Sequence, residues 1–367
     1  MNRAMKRSVY KILLLLISAT AFPSVNGQPA ECVVWKSFPA DRMTELSISN
    51  KYGDITLLNT NADSVIVCAT AWVEYSDPEM ARRGLDLIRL NVGSADNRIS
   101  CITAFDEKFF STAFRTGRKS FNVSYIIKVP AYMNVTIDNS FGNIKVEHLT
   151  GKADITISHG SINATSLARG NEKPVNRIVV RHSKATIGDA GWLGMELYHS
   201  PMAEIGSIQA GSFVSEFSNI MIRRANSLVI NSKSDKYRVE NLANCVVEAK
   251  LSTIEISSLS EIFRADATLS TITIGSLVSG FSEVNVTGRS TAYAFGIPPS
   301  APYRISVIAR GAATVIVPDE DKQLLSRESS VPGVFIISGT GGGGIPTKSS
   351  ISAELNSGKI EVFHSGK

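Results

Sequence analysis

The stretch "LSTIEISSL" at residues 251–259 is followed by "LSTITIGSL" at residues 269–277, so that nine residues recur almost unchanged 18 positions later. Each copy alternates apolar and small polar residues with the period of a strand. A strand this short cannot bury its inward side chains alone, whereas stacked copies supply each other with hydrogen-bond partners and apolar surface. The repeat therefore predicts two adjacent rungs. The predicted stacked pairs are Leu251 on Leu269, Ile254 on Ile272, Ile256 on Ile274 and, facing outward, Thr253 on Thr271.

Weaker copies of the same unit, a small or polar turn followed by an apolar-polar-apolar strand, begin at about residue 131. The steps between their first apolar residues are 18, 25, 18, 15, 17, 17 and 18. Such regularity predicts a mostly β protein built as a parallel, right-handed β-solenoid (β-helix) with coils of about 18 residues. The first apolar residues of the successive units are Ile144, Ile162, Ile187, Ile205, Ile220, Tyr237, Ile254 and Ile272.

Two other β architectures fit the repeat less well. A left-handed helix of hexapeptides needs an aliphatic residue at every sixth position, but six-residue steps from Leu251 reach Ser257, Phe263, Leu269 and Gly275. A β-sandwich of hairpins also shows short strands and turn residues, but it does not require a constant step.

The flanking regions are less regular. Residues 28–130 predict a β-rich region with one amphipathic helix, in which Asp77 caps, Pro78 occupies the first turn, and Ala81, Leu85 and Ile88 share an apolar face. We expect the solenoid to occupy residues 131–286. Residues 287–367 form a C-terminal β region, in which the strand–turn–strand unit at 350–363 is expected to cap the open end.

The first 27 residues have the layout of a secretory signal peptide. Basic residues precede the apolar run "ILLLLI" at 12–17, and small residues end the segment near Gly27. Cleavage would remove four positive charges, leaving 34 basic and 33 acidic residues, so the net charge falls from +5 to +1. Nothing in this balance favours a nucleic-acid partner. The signal predicts an extracytoplasmic location: periplasm, outer surface or secreted. The later sequence has no apolar run long enough to span a membrane, so we expect no transmembrane segment after cleavage.

Four cysteines follow the leader: Cys32, Cys68, Cys101 and Cys245. Cys68 and Cys101 lie in two strand-like runs that could pair, and an exported chain permits disulfides. Buried free thiols are the equally weighted alternative. No two cysteines have the spacing of a zinc site, so no metal is expected there.

The sequence contains no catalytic constellation. Gly339 and Gly344 have P-loop spacing, but Ile345 and Pro346 stand where lysine and a hydroxyl residue must follow. His182 and His199 recur 17 residues apart and are expected to stack at one turn, but no third metal ligand accompanies them. The acidic residues are spread over the repeats without a pair at matching rungs. We therefore expect a non-enzymatic protein without metal or cofactor.

Hydroxyl side chains on the outward ladder are the candidate ligand-binding residues. Hydroxyl ladders can bind glycans or order water, and they also simply suit exposed strands. The candidates are Thr253, Thr271, Ser257, Ser258 and Ser276.

Three segments resemble bacterial exported proteins known as the putative adhesin family, including its auto-transporter-adhesin-head-like members and a related β-strand-repeat domain of unknown function. These segments are "ISNKYGDITL" (48–57), "YIIKVPAYMNVTIDNSFGNIKVEHLTGKADITISHGSI" (125–162) and "AELNSGKIEV" (353–362). The resemblance implies an extracytoplasmic β-solenoid, an adhesin role with a glycan or cell-surface protein as partner, and no catalytic residues. The alternatives are a β-helix enzyme acting on polysaccharide and a periplasmic signalling or scaffold protein.

Overall fold

The fold was analysed in a computed structural model that describes residues 29–299, 301–344 and 347–366. The predicted signal peptide, residues 1–27, lies outside the described residues, as do Ile345 and Pro346. The described chain is mostly β, with one large sheet and two short α-helices. The helices are α1 (Pro78–Leu85) and α2 (Thr112–Arg115), and short 3-10 turns span Glu107–Phe110 and Lys322–Leu324. The strands are β1 (Ala30–Pro39), β2 (Glu45–Lys51), β3 (Ile55–Asn59), β4 (Ser64–Tyr75), β5 (Ile88–Ala95), β6 (Arg98–Phe105), β7 (Arg118–Val129), β8 (Asn134–Ser140), β9 (Asn143–Leu149), β10 (Ala153–Ser158), β11 (Ser161–Leu167), β12 (Asn176–Arg181), β13 (Lys184–Tyr198), β14 (Met202–Glu216), β15 (Asn219–Lys233), β16 (Lys236–Lys250), β17 (Thr253–Thr268), β18 (Thr271–Leu277), β19 (Glu283–Ile297), β20 (Tyr303–Ile316), β21 (Leu325–Val331), β22 (Val334–Gly341) and β23 (Ser350–His364).

The strands stack in two columns. One column begins β1–β4–β7–β3–β9–β11 and the other β5–β6–β2–β8–β10–β12, and both continue into β13. From β13 onward a long strand serves both columns: residues 184–190 pair with 202–208, and residues 192–198 pair with 210–216. Pairing is parallel through the middle of the stack, and antiparallel pairs occur at both ends.

The repeated segments 251–259 and 269–277 show this register most clearly. Ile254 pairs with Ile272, Ile256 with Ile274 and Thr253 with Thr271, as predicted. The isoleucines are fully buried and belong to one hydrophobic core between the two columns. Alternation of buried and exposed residues along each strand therefore reflects one side chain facing the core and the next facing solvent.

The rungs turn at corner residues with positive φ, each followed by a small or polar residue that is buried or half-buried. In the corner Leu251–Ser252, Leu251 has φ 56° and is 52% exposed, so this leucine lies at the corner, outside the buried face of the strand. Ser252 is buried instead, and its hydroxyl accepts from the backbone N–H of Asp235 at 3.2 Å and donates to the carbonyl of Lys250 at 2.9 Å. A serine at this position thus satisfies two backbone groups that the turn removes from the ladder.

Where the corner carries glycine, backbones pack directly onto each other. A Cβ at Gly142 would lie 2.0 Å from the carbonyl oxygen of Gly53 on the neighbouring rung. Aromatic-Gly corners at 52–53 and 141–142 therefore allow a closer approach than the serine corners that follow.

Some sequence predictions require correction in their register. Ile187 and Ile205 pair with each other, but the partners of Ile162 and Ile220 are Ala185 and Ala203. The two irregular predicted steps, 25 and 15, are therefore 23 (162 to 185) and 17 (203 to 220). The error is two residues because side chains two apart face the same side of a strand, so the hydrophobic pattern alone does not separate them.

The C-terminal unit at 350–363 lies inside the sheet and not at its end. It is one strand, β23, which pairs in parallel with β19 on one side and β20 on the other, and the hairpin β21–β22 lies beyond β20. Tyr303–Ile316 is a single strand with an irregularity between Arg310 and Ala313.

Helix α1 begins as predicted. The Asp77 side chain accepts from the backbone N–H of Glu79 at 2.9 Å, Pro78 is the first residue, and Ala81 is buried. Ile88 is not on the helix but starts β5, because the helix ends at Leu85.

Candidate functional site

The five hydroxyl residues predicted from sequence fall into two groups on the outer surface of the same column. Thr253 and Thr271 are neighbours just after the corner, the first half-buried and the second exposed. Ser258 and Ser276 are neighbours five residues further on, and Ser257 is exposed beside them. At about 3.3 Å per residue the two pairs are roughly 16 Å apart, so they do not form one cluster. They lie at the two edges of an outward-facing surface that we call the outward strip.

The second pair belongs to a continuous polar row. On consecutive rungs, the residues at the register position of Ser258 and Ser276 are polar and lie one above another. The row consists of His148, Ser166, Asp189, Ser207, Arg224, Asn241, Ser258 and Ser276. Ser207 donates a hydrogen bond to the Asp189 carboxylate at 2.5 Å, and Ser276 donates to the hydroxyl of Ser365 at 3.4 Å.

A shallow groove of about 650 Å³ follows this row, and we call it the polar groove. Its donors and acceptors come from the row itself and from side chains two residues further along the same strands. It is lined by Ser207, Gln209, Arg224, Asn226, Asn241, Ser258 and Ser260, with Ala190, Ile208, Ala225, Leu242, Ala243 and Val278 forming its apolar part. Arg224 is the one cation of this lining and is exposed. Amides, hydroxyls and one guanidinium on an apolar floor can hold a polyhydroxylated ligand through several hydrogen bonds.

Several carboxylates on the outward faces form ion pairs with cations on neighbouring strands. Arg177 lies between two acids, 2.8 Å from Glu196 and 3.6 Å from Asp154, and these carboxylates raise its pKa, chiefly through the hydrogen bond to Glu196. Other cross-strand pairs are Glu45 with Arg98, Glu74 with Lys119, Glu216 with Lys233, Glu255 with Arg238, Glu283 with Arg264, and Glu354 with Arg310. A carboxylate that stays ionised in such a pair is unsuited to donate a proton as a general acid.

Rings occupy six consecutive corners and stack face to face. Neighbouring centroids are 4.9–5.1 Å apart, and the planes diverge by 2–24°. The ring stack consists, in order, of Tyr52, Phe141, His159, His182, His199 and Phe217. Phe105, Phe110 and Phe121 pack around Tyr52 at one end of it.

The predicted stacking of His182 on His199 is confirmed, with centroids 5.0 Å apart and planes 2° from parallel. Nitrogen lone pairs lie in the plane of an imidazole, so two parallel rings direct them along parallel lines. They cannot converge on one metal ion in this arrangement. Within the described residues, no group of three or more His, Cys, Asp or Glu side chains could hold a metal.

A buried carboxylate lies beneath the corner of the next rung. Asp235 accepts from the hydroxyls of Ser215 at 2.7 Å and Ser232 at 2.8 Å, and from the backbone N–H groups of Ser218 at 2.7 Å and Lys233 at 3.0 Å. Burial raises the pKa of Asp235, and the hydrogen bonds lower it by less. The Asp235 carboxylate is structural, because all four partners flank the two neighbouring corners Phe217 and Ser234.

All four cysteines are free thiols in the structure. Cys68 lies on β4, which pairs with β1 and β7, whereas Cys101 lies on β6, which pairs with β2 and β5. These two runs are therefore not neighbouring strands in the sheet. Cys68, Cys101 and Cys245 are buried, as the free-thiol alternative predicted, and burial raises the pKa of Cys101 to about 12.

Sequence reasoning missed the polar groove and most of the ring stack. The repeated His-Ser dipeptides gave a signal for two of the six rings. Phe141, His159 and Phe217 share with them only a positive φ followed by a small residue, a backbone property that single-letter similarity does not show.

Comparison with known proteins gives distant structural similarity only. No known family matches the chain, and no curated protein does. The solved structures that it resembles include a putative adhesin from Bacteroides fragilis, 12% identical over 90% of this chain and 97% of that one, with a TM-score of 0.31. A putative cell adhesion protein from Clostridium sporogenes is 10% identical over 92% and 100%, with a TM-score of 0.19. A putative lipid binding protein from Parabacteroides distasonis is 8% identical over 92% and 97%, with a TM-score of 0.29. Similarity at this level does not transfer an activity.

Among the described helices, none is both long enough and apolar enough to cross a membrane.

Proposed function

We propose that this chain is an exported, non-enzymatic protein of the cell envelope or surface that binds a glycan along the outward strip of its stacked rungs. The strip runs from Thr253 and Thr271 to Ser258 in the polar groove and to its register partner Ser276. An adhesin-like role follows from this proposal, since a surface protein that holds a glycan along an extended face attaches its cell to whatever carries that glycan.

The proposal includes the architecture expected from the repeat. Parallel pairing with offsets of 17 and 18 residues supports solenoid coils of about 18 residues, and we propose a right-handed coil. We also retain the division into a leader at 1–27, a β-rich region at 28–130, solenoid rungs at 131–286 and a C-terminal region at 287–367.

The single observation that carries the function is the lining of the polar groove. Six amide and hydroxyl side chains surround the exposed Arg224 on an apolar floor, and consecutive rungs extend the same polar row in both directions. Sugars offer many hydroxyls in a fixed arrangement, and a periodic polar row can match a periodic polymer. The cross-strand ion pairs of the outward carboxylates favour binding over acid–base catalysis.

The test is a glycan array probed with purified residues 28–367, with and without calcium. We expect saturable binding to one glycan class. Arg224→Ala should weaken it, because the groove loses its cation, and Thr253→Ala together with Thr271→Ala tests the far edge of the strip. Arg264→Ala is a matched control, since this exposed arginine lies in the other column, where it pairs with Glu283.

Absence of binding to every glycan, in both conditions, would overturn the proposal and leave a protein partner or a scaffold role. Binding that Arg224→Ala does not weaken would exclude the polar groove as its site. Turnover of a bound polysaccharide during the assay would show the enzyme alternative to be correct.

A further inference from the structure

The ring stack ends at Phe217, although the corner column itself continues. The next corner residue is Ser234, and the two after it are Leu251 and Leu269. Phe217, Leu251 and Leu269 are each more than half exposed. One face of Phe217 covers His199 at 5.1 Å, and its other face looks toward the small Ser234. We call the space outside Ser234, between Phe217 and Leu251, the notch.

The notch has the width of one flat ring. Adjacent strands are about 4.8 Å apart, so the corners on either side of Ser234 are separated by roughly 10 Å. The stack itself places rings about 5 Å apart, which leaves one vacant ring position at the Ser234 rung. Ser234 is half-buried although Ser290, at the equivalent corner, is exposed, as expected where bulkier neighbours flank the serine on both sides.

The walls of the notch are held at a conformational cost. Phe217 has φ 52° and Leu251 φ 56°, values that bulky side chains rarely adopt. Neither side chain offsets that cost by burial in the core, since both project into solvent. Positive φ is common to all corners of the stack, so these two are distinguished by the exposed apolar surface that they present on either side of a small residue.

The rim of the notch is positively charged. One side of the rim consists of the residues that precede the three corners in the chain. They are Glu216, Lys233 and Lys250, and they are register partners in that order. On the other side, Lys236 lies between Asn219 and Thr253. Three lysines therefore surround the Ser234 rung, with Glu216 as the one carboxylate among these rim residues, and Lys233 is paired with it.

We propose that the notch binds an acidic sugar residue, with the pyranose ring stacked on the free face of Phe217 and its carboxylate held by the rim lysines. A sugar ring presents C–H groups to an aromatic face and hydroxyls to polar side chains, so it fits a single-ring slot with a polar rim. A neutral aromatic side chain from a protein partner would fit the slot but leave the lysines without a counter-charge. The inference rests on the proposed function and specifies its ligand class.

The experiment measures binding of tetragalacturonate and of the uncharged maltotetraose by isothermal titration calorimetry, using residues 28–367. Phe217→Ala removes the stacking face and should weaken tetragalacturonate binding about tenfold or more. Ser234→Phe fills the vacant ring position from within, and Phe217 and Phe141 show that phenylalanine is accepted at this corner. It should abolish binding while leaving the fold unchanged by circular dichroism. Phe141→Ala is the matched control, because both faces of that ring are covered by its neighbours.

Binding of the acidic oligosaccharide that is lost in Phe217→Ala and Ser234→Phe but kept in Phe141→Ala would support the notch. Equal binding by wild type and Ser234→Phe would overturn it and leave the proposed function standing, since the glycan would then bind elsewhere on the strip. Binding of maltotetraose as strong as that of tetragalacturonate would overturn the role of the lysines. Failure to bind tetragalacturonate, when a tyrosine-containing peptide binds in the notch, would overturn the sugar in favour of a protein partner.

Discussion

Replacing the buried carboxylate of Asp235 by Ala should destabilise the stack of rungs more than any other single change at a corner. The side chain accepts four hydrogen bonds, two from hydroxyls and two from the backbone N–H groups of Ser218 and Lys233. Hydroxyls can turn to other acceptors, but the two N–H groups cannot, and each buried donor left without a partner costs roughly 1–3 kcal/mol.

Part of this cost is offset because the substitution also removes a buried charge. Burial raises the pKa of Asp235, which shows that the ionised form is less well solvated there than in water. The net loss in the free energy of unfolding should therefore be about 2–4 kcal/mol at pH 7. The assay is equilibrium unfolding in urea, with the midpoint and slope fitted for both proteins.

Asp235→Ser is the matched control, since serine stands at the same corner position on both neighbouring rungs. Ser218 accepts there from the backbone N–H of Ser200 at 3.1 Å, and Ser252 from that of Asp235 at 3.2 Å. A serine at position 235 can accept from the Ser218 N–H in the same way, so its cost should be about 1–2 kcal/mol. If Asp235→Ala lost less than 0.5 kcal/mol (about the error of such fits), or if serine were no better than alanine, the backbone-satisfaction argument would be refuted.

Three further predictions concern the same corners and the cysteines. Because burial raises the pKa of Asp235, the folded state keeps the proton on this carboxyl to higher pH than the unfolded state does. The protonated carboxyl therefore contributes stability at acid pH, and this contribution is lost as pH rises through the folded pKa. Between pH 4 and pH 7 the urea midpoint of the wild type should fall relative to that of Asp235→Ser, and a parallel response of the two proteins would contradict the prediction. Leu251→Asn should raise the free energy of unfolding by about 1 kcal/mol, because asparagine tolerates positive φ better than leucine and little burial is lost, and a loss of stability in the urea assay would count against it. At pH 8 a thiol reagent should modify Cys32 alone in the native chain and all four cysteines in denaturant; two reactive thiols in denaturant would reveal a disulfide instead.

The rungs could be predicted from sequence because their inward positions repeat both chemistry and spacing. In 251–277 the two copies are so similar that every strand pair was correctly assigned. In the earlier rungs the copies share only the alternation of apolar and polar residues. The two-residue error at Ile187 and Ile205 arose because a shift of two residues leaves this alternation unchanged. The place of β23 between β19 and β20 depends on contacts between segments distant in sequence, which no local pattern encodes.

The candidate site was predictable only where similar residues repeat. Thr253 and Thr271 form the expected neighbours, and so do Ser258 and Ser276. The polar row remained hidden because its members change from serine to arginine to asparagine while keeping one structural position. The notch could not be seen at all, because it is defined by a small residue between large ones on separate rungs.

The central claim, that the outward surface of the stacked rungs recognises a glycan, is tested most directly by one comparison on a glycan array. Wild-type residues 28–367 and the double variant Arg224→Ala/Ser234→Phe, matched for thermal stability, are probed side by side. Our account predicts saturable binding of one acidic glycan class by wild type and none by the double variant. Equal binding by the two proteins, or no binding by wild type, would contradict it.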